Sequence, residues 1–282
     1  MMKRPIYHYI AIGIVLLYLF VPIAATFLYS LATEWNHTIL PEGISFQWYQ
    51  QLFGDSRFIH SLSRSLLISL GTAVIAVVII VPTVCAVILY APRLEKYIQA
   101  ITVMTYAIPG VILAVGLIRA YSDFQISKLL IVMGAYFICV IPYMYQGTRN
   151  SLRNINAPAL MDAAAVLGAT RLTAFLQIIV PNIMPGILVS ALLSFSILFG
   201  EFVLINMVVG TRFETVQLYL FAQLSKSGHI ASAIVVCYFT LIALITALII
   251  KATSIQTSMG KNTVTKRTRL KITLPKKEAV KS

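Results

Sequence analysis

The chain has 282 residues, of which 59% are hydrophobic and only 11% charged, and its mean hydropathy is +0.87. Soluble domains carry roughly a quarter charged residues, so this composition excludes an ordinary cytoplasmic enzyme. The formal charge is +13, but nine of the basic residues lie from Lys251 onward; such a concentration points to a membrane surface and to topology, not to a nucleic-acid face.

A helix crossing the roughly 30 Å hydrocarbon layer needs about 20 mostly apolar residues, because each adds about 1.5 Å of rise. In chain order, Ile10–Leu31, Ser65–Tyr90, Tyr97–Ile118 and Leu129–Thr148 meet this length without one Asp, Glu, Lys or Arg. Asn182–Thr211 follows with Glu201 as its single charge, and Gly228–Ile250 is again uncharged. The expected fold class is therefore an all-α integral membrane protein with six transmembrane helices, since helices satisfy every backbone polar group within lipid. The first stretch follows Lys3 and Arg4. It is too long for a signal-peptide core and is closed by YSLATE, so it reads as a retained span. Pro82, Pro109 with Gly110, Pro142, and Pro185 with Gly186 lie in or beside the runs and predict kinks or breaks.

An even span number puts both termini on one side. Lys3, Arg4, Arg93, Lys96, Arg149, Arg153, Arg171 and Lys251 fall on that side, against six basic residues and five acids on the other. The positive-inside rule then places both termini in the cytoplasm. Two long connections, Ala32–Arg64 and Thr211–Ser227, face outward in this reading, and Arg149–Pro181 faces the cytoplasm. Residues 1–252 form the membrane domain. The tail from Thr253 to Ser282 has eight basic residues and one acid, and is expected to be disordered or to lie on anionic lipid.

The cytoplasmic connection is the most informative segment, reading NAPALMDAAAVLGATRLTAFLQIIVP from Asn156 to Pro181. Asn156 suits an N-cap, Pro158 a first turn, and Leu160, Ala163, Ala164 and Leu167 recur at helical spacing. Gly168 stands where a left-handed C-cap is wanted. A second helix is expected from Thr170, with Leu172, Phe175, Leu176 and Ile179 as its stripe and Pro181 as its stop. Small residues beside a turn glycine allow close approach of another protein, although the same hairpin could pack only on its own spans.

Asp162-Ala163-Ala164, then Gly168, Ile178 and Val180-Pro181, resembles the EAA loop of permease subunits of binding-protein-dependent ABC importers. Asp162 replaces the usual glutamate and Val180 the usual leucine. Span number, the loop's place between spans four and five, and the run FGEFVLINMVVG from Phe199 to Gly210 extend the likeness. Within the family the chain is similar to the polyamine-type branch, which includes importers of aminoethylphosphonate and ferric iron. The resemblance implies a type I importer permease forming half of a pore in a bacterial inner membrane. It implies a coupling helix at about Pro158–Leu167, seated in a groove of an ATP-binding subunit, with Pro158, Leu160, Asp162, Ala163, Ala164, Leu167 and Gly168 as the coupling residues. Its implied partners are ATP-binding cassette subunits holding ATP and Mg, a second permease subunit (a heterodimer favoured over a homodimer), an extracytoplasmic solute-binding protein and membrane lipid.

Three further readings bear on function. The sequence has no GxxxxGK[ST] phosphate loop, so ATP hydrolysis is expected from a partner and no cofactor in this chain. His8, His37, His60 and His229 show no metal-ligand spacing, and Cys85, Cys139 and Cys237 read as buried reduced thiols. Glu201 is either a translocation-path residue or an outer-end residue paired with Arg212 or a sister subunit; Ser194 and Asn206 are either path-lining or helix-packing groups. The rival class, an ion-coupled secondary transporter, calls for several intramembrane ionisable residues, and here Glu201 stands nearly alone.

Overall fold

The structure, a computed structural model, describes residues 6–35 and 41–270, with side chains over 8–35 and 41–251. Lys3, Arg4 and residues 271–282, which enter the topology and tail expectations, lie outside the described residues. Apart from one isolated bridge between Ala32 and Ile44, the described residues are helical or irregular. Helix α1 spans Ile6–Leu31, α2 Gln47–Gly54, α3 Ser56–Tyr90, α4 Glu95–Tyr106, α5 Gly110–Ala120 and α6 Lys128–Asn154. Helices α7 (Ala157–Val166), α8 (Arg171–Ala174), α9 (Val180–Phe199), α10 (Val203–Val208), α11 (Val216–Leu224) and α12 (Gly228–Leu270) complete the order.

Among the described residues five helices are long and apolar enough to cross a membrane, and a sixth crossing requires counting the bent pair α4 and α5 as one. The expected third span is thus interrupted. Pro109 is extended (φ −60°, ψ 138°) and the two halves meet at 97°, because proline denies the preceding residue the helical region and Gly110 restarts the helix. The fifth crossing differs in the opposite sense. The expected stop at Pro181 does not occur: one helical rod runs from Arg171 through Phe199. A π turn over Phe175–Ile179, in which the Val180 N–H donates to the Phe175 carbonyl, shifts the ladder by one residue just before Pro181. That shift relieves the clash a proline ring makes with the carbonyl four residues back. The rod ends at Phe199, so the expected stretch 182–211 divides into α9 and the short α10.

Helices α3, α6 and α9 form the core, where Ile80, Val84, Val140, Met144, Ile183 and Ile187 are buried together. The α6/α9 contact rests on reciprocal small residues. A Cβ added at Gly147 would collide with the Ser190 side chain, and one added at Gly186 would collide with Ser151. Each serine hydroxyl donates to the glycine carbonyl one turn earlier on its own helix, Ser151 to Gly147 at 2.9 Å and Ser190 to Gly186 at 2.8 Å. The hydroxyls therefore bury no unpaired donor while the backbones close on one another, as small-xxx-small helix pairs do in membranes.

The two ends of this core are tied differently. At one end, Tyr29 of α1 and Trp48 of α2 both stack on the His229 ring at the start of α12, with centroids 4.2 and 5.0 Å away. There too Arg57 pairs with Glu214 at 2.8 Å, and the Tyr219 hydroxyl donates to Asp55 at 2.7 Å. At the other end lie the α6–α7 and α7–α8 connections and the start of α4, where Glu95 pairs with Arg149 and Arg153. The Arg57–Glu214 and Asp55–Tyr219 contacts join the connection Ala32–Arg64 to Thr211–Ser227. Helix α12 continues to Leu270, so the expected tail boundary at Thr253 is not a helix end.

Candidate functional site

The α7–α8 hairpin is built from its turn outward. Asn156 occupies the cap position but its side chain caps nothing; it adopts φ +50°, ψ 57°, a left-handed conformation that asparagine tolerates better than most residues. Pro158 lies in the first turn of α7. At the far end, the Gly168 N–H donates to Ala165 and the Ala169 N–H to Ala164, both at 3.0 Å, while Gly168 adopts φ +80°. This is the paired closure that satisfies the last carbonyls of a helix around a left-handed glycine. An added Cβ at Gly168 would meet nothing within 4 Å, so the demand for glycine there is conformational, not steric. Thr170 starts α8, its hydroxyl accepting from the Thr173 N–H at 3.2 Å.

The hairpin's two faces separate residues that the sequence spacing grouped together. Ala157, Ala164, Ala174 and Ile179 are buried, and Leu160 packs against the core. Pro158, Asp162, Ala163 and Gly168 are exposed, and Val166 and Leu167 expose 88% and 86% of their surface. Leu172 and Leu176 of the expected second stripe also point outward, leaving Phe175 and Ile179 as its packed members. The stripe Leu160–Ala163–Ala164–Leu167 is therefore half inward and half outward: positions 160 and 167, seven apart, lie within about 20° of one another on an α-helix, and Leu167 is bare because it is the C-cap residue, past the last turn that packs on the bundle. The hairpin is anchored by the Arg171 guanidinium, 5.1 Å from the centre of the Tyr90 ring at the end of α3.

Glu201 lies between α9 and α10, outside any spanning helix. Its Oε1 accepts from the Leu204 N–H at 2.8 Å, and its Oε2 from the Ile205 N–H at 3.3 Å and the Tyr136 hydroxyl at 3.0 Å. A carboxylate that receives the first free N–H groups of a helix stabilises that terminus through both hydrogen bonds and the helix dipole. No ion pair joins Glu201 to Arg212 among the described residues. Ser194 is fully buried with no hydrogen-bond partner among the described residues, and Asn206 is exposed, so the path candidates Glu201, Asn206 and Ser194 occupy three unlike environments. Tyr136 had no signal in the sequence: it lies 65 residues from Glu201, in a span with no acid. Among the described residues no group of three or more His, Cys, Asp or Glu could hold a metal ion.

The family model for the binding-protein-dependent transport system inner membrane component matches residues 83–256, which takes in the bent pair, the hairpin, the α9–α10 break and the last span. The chain belongs to this family. It is 26% identical over 219 residues to the spermidine/putrescine transport system permease protein of Haemophilus influenzae, covering 76% of this chain and 83% of that one. It is 24% identical over 248 residues to the putative 2-aminoethylphosphonate transport system permease protein of Salmonella typhimurium, covering 87% and 92%. The fold is that of ABC importer membrane subunits. A bacterial ABC transporter involved in import of the acidic polysaccharide alginate aligns with TM-score 0.64 at 19% identity, over 87% of this chain and 95% of that one. A methionine ABC transporter in an inward-facing form aligns with TM-score 0.55 at 19% identity, over 72% and 99%. The chain is an ABC importer permease subunit, and the secondary-transporter rival falls with that assignment.

Proposed function

We propose that the chain forms half of an importer pore and that the α7–α8 hairpin transmits ATP-driven closure of a partner subunit to the membrane helices. The exposed apolar edge at Val166 and Leu167, beside a left-handed turn, carries this reading. Two large aliphatic side chains left bare on a short helix are a feature of interaction surfaces. In this division of labour, Pro158, Asp162, Ala163 and Leu167 meet the ATP-binding subunit, Leu160 and Ala164 hold α7 to the bundle, and Gly168 sets the angle of the turn. ATP and Mg belong to the ATP-binding subunits. A second, non-identical permease completes the pore, an extracytoplasmic binding protein delivers the solute, and both termini face the cytoplasm of a bacterial inner membrane.

The solute is a small amine, a polyamine or 2-aminoethylphosphonate, as the names of two relatives suggest. Both chemistries carry a primary ammonium. Glu201 is a path residue only in a conformation that frees it from Tyr136 and the α10 backbone, since in this structure both its oxygens are engaged.

The test is affinity purification of the tagged chain from detergent-solubilised membranes. Recovery of an ATP-binding subunit is expected. Burying one leucine stabilises by about 1.5 to 3 kcal/mol, so Leu167→Asp should weaken that association by at least about tenfold without lowering the amount of folded permease. A chain that purifies alone, and transports in liposomes without ATP, overturns the proposal.

A further inference from the structure

A cavity of about 600 Å³ opens where α4 begins and α6 ends, lined by Arg93, Glu95, Lys96, Tyr97, Arg149 and Arg153. Four cations meet a single carboxylate here, a local charge of +3. Both guanidiniums of α6 use the same oxygen, Glu95 Oε1. The second α4 anchor is the Tyr145 hydroxyl, which donates to the Glu95 carbonyl at 3.4 Å. Arg93 and Lys96 are exposed and have no carboxylate partner among the described residues; the Lys96 ammonium lies over the Tyr97 ring, 4.9 Å from its centre. The arrangement thus holds a rigid arginine pair and two unmatched cations around open space, which suits a phosphate group.

What adjoins the cavity identifies the carrier of that phosphate. Leu94, Tyr97, Ile101 and Met104 are all exposed and follow one another at spacings of three, four and three along α4, so they form one apolar strip leading from the cavity along the helix. A basic pocket at the end of membrane helices, continuous with an apolar strip, matches a molecule with an anionic head and hydrocarbon tails. We propose that this cavity binds the headgroup of an anionic phospholipid, with Arg93 and Lys96 on the phosphate, the Arg149–Glu95–Arg153 triad fixing the wall, and an acyl chain along the α4 strip. The site is separate from the hairpin's apolar edge and does not depend on the coupling role assigned to that edge.

The full chain, purified in mild detergent with the subunits that accompany it, is titrated with short-chain phosphatidylglycerol and followed by native mass spectrometry. Phosphatidylcholine and glycerol phosphate serve as comparators. Phosphatidylglycerol should bind in preference to phosphatidylcholine. Each basic group removed should weaken it about fivefold, so R93A/K96A should weaken it about twenty-five-fold while leaving the thermal midpoint in phosphatidylcholine unchanged. R93K/K96R should retain most of the binding. Unaltered phosphatidylglycerol binding by R93A/K96A overturns the site. Displacement by glycerol phosphate at concentrations similar to the lipid's own overturns the lipid as ligand, because the strip would then contribute nothing.

Discussion

The α6/α9 contact and the α7–α8 hairpin both depend on small residues, and they use them for opposite ends. At Gly147 and Gly186 the missing side chain is a steric requirement, since any Cβ there runs into a serine of the facing helix. At Gly168 there is open space around the missing Cβ, and what matters is a φ of +80°. The alanines divide in the same way: Ala157 and Ala164 are sealed in the bundle, whereas Ala163 faces out beside Leu167. A glycine or alanine in an apolar sequence thus reports close packing, a special backbone angle or a bare surface, and only the neighbouring helix tells which.

The largest effect should come from the steric glycines. Gly147→Val forces the α6/α9 backbones apart and should cost several kcal/mol, above the usual 1 to 3 of about one overpacked site, because rigid helices lie on both sides. The expected readout is loss of the chain from the membrane fraction, partly restored by Ser190→Gly. Accumulation at the parental level would show that the contact is not as tight as it stands here.

Gly168→Val should behave differently. The left-handed angle penalises a β-branched residue by about 1 to 2 kcal/mol, a cost a large membrane protein tolerates. The permease should therefore accumulate nearly normally while solute uptake per ATP hydrolysed falls severalfold, and Gly168→Asn should fall less. If uptake per ATP is unchanged in both variants, the turn is no part of the transmission.

Glu201→Gln gives a smaller, structural effect: one oxygen is lost as acceptor, so α10 should loosen by about 1 to 2 kcal/mol. A lowered thermal midpoint in proportion to lost uptake assigns the residue to capping. Unchanged stability with lost uptake of a cationic solute assigns it to the path.

The smallest effect belongs to the far rim, where neither kind of small residue acts. The hydrogen bond from Tyr219 holds the Asp55 carboxyl below its ordinary value of 3.8, and burial together with that bond pushes the Tyr219 hydroxyl up to about 12. Because the folded carboxyl titrates lower than the unfolded one, its stabilisation is complete above the ordinary carboxylate range and is lost as pH falls through the folded value. Tyr219→Phe should lower stability modestly near neutrality, leave it unchanged below the folded value, and so flatten the acid limb of a stability-versus-pH curve. An acid limb identical to the parent's would remove this pair from the pH dependence.

Much of the fold was legible because hydrocarbon imposes a single strong rule, long uncharged runs, which α1, α3, α6 and the apolar part of α12 obey. The rule weakened wherever proline stood in a run. Pro109 breaks its span and Pro181 does not, and the difference lies in the π turn that precedes Pro181, a ladder shift with no spacing signature. The hairpin and its turn were readable from Asn156, Pro158 and Gly168, since caps and left-handed positions select particular residues locally. The orientation of its helices was not readable: period alone put Leu160, Ala163, Ala164 and Leu167 on one stripe, and the bundle divided them.

The sequence by itself determined that this is a multi-span membrane protein with a two-helix connection between its fourth and fifth crossings, because lipid solvation and turn geometry act on residues near one another in the chain. The packing of the helices alone decided that Glu201 meets Tyr136, that Glu95 joins Arg149 and Arg153, and which face of the hairpin is bare. Those contacts join groups more than fifty residues apart, or depend on which side of a helix the bundle covers. They are set by how the helices pack, which no local pattern encodes.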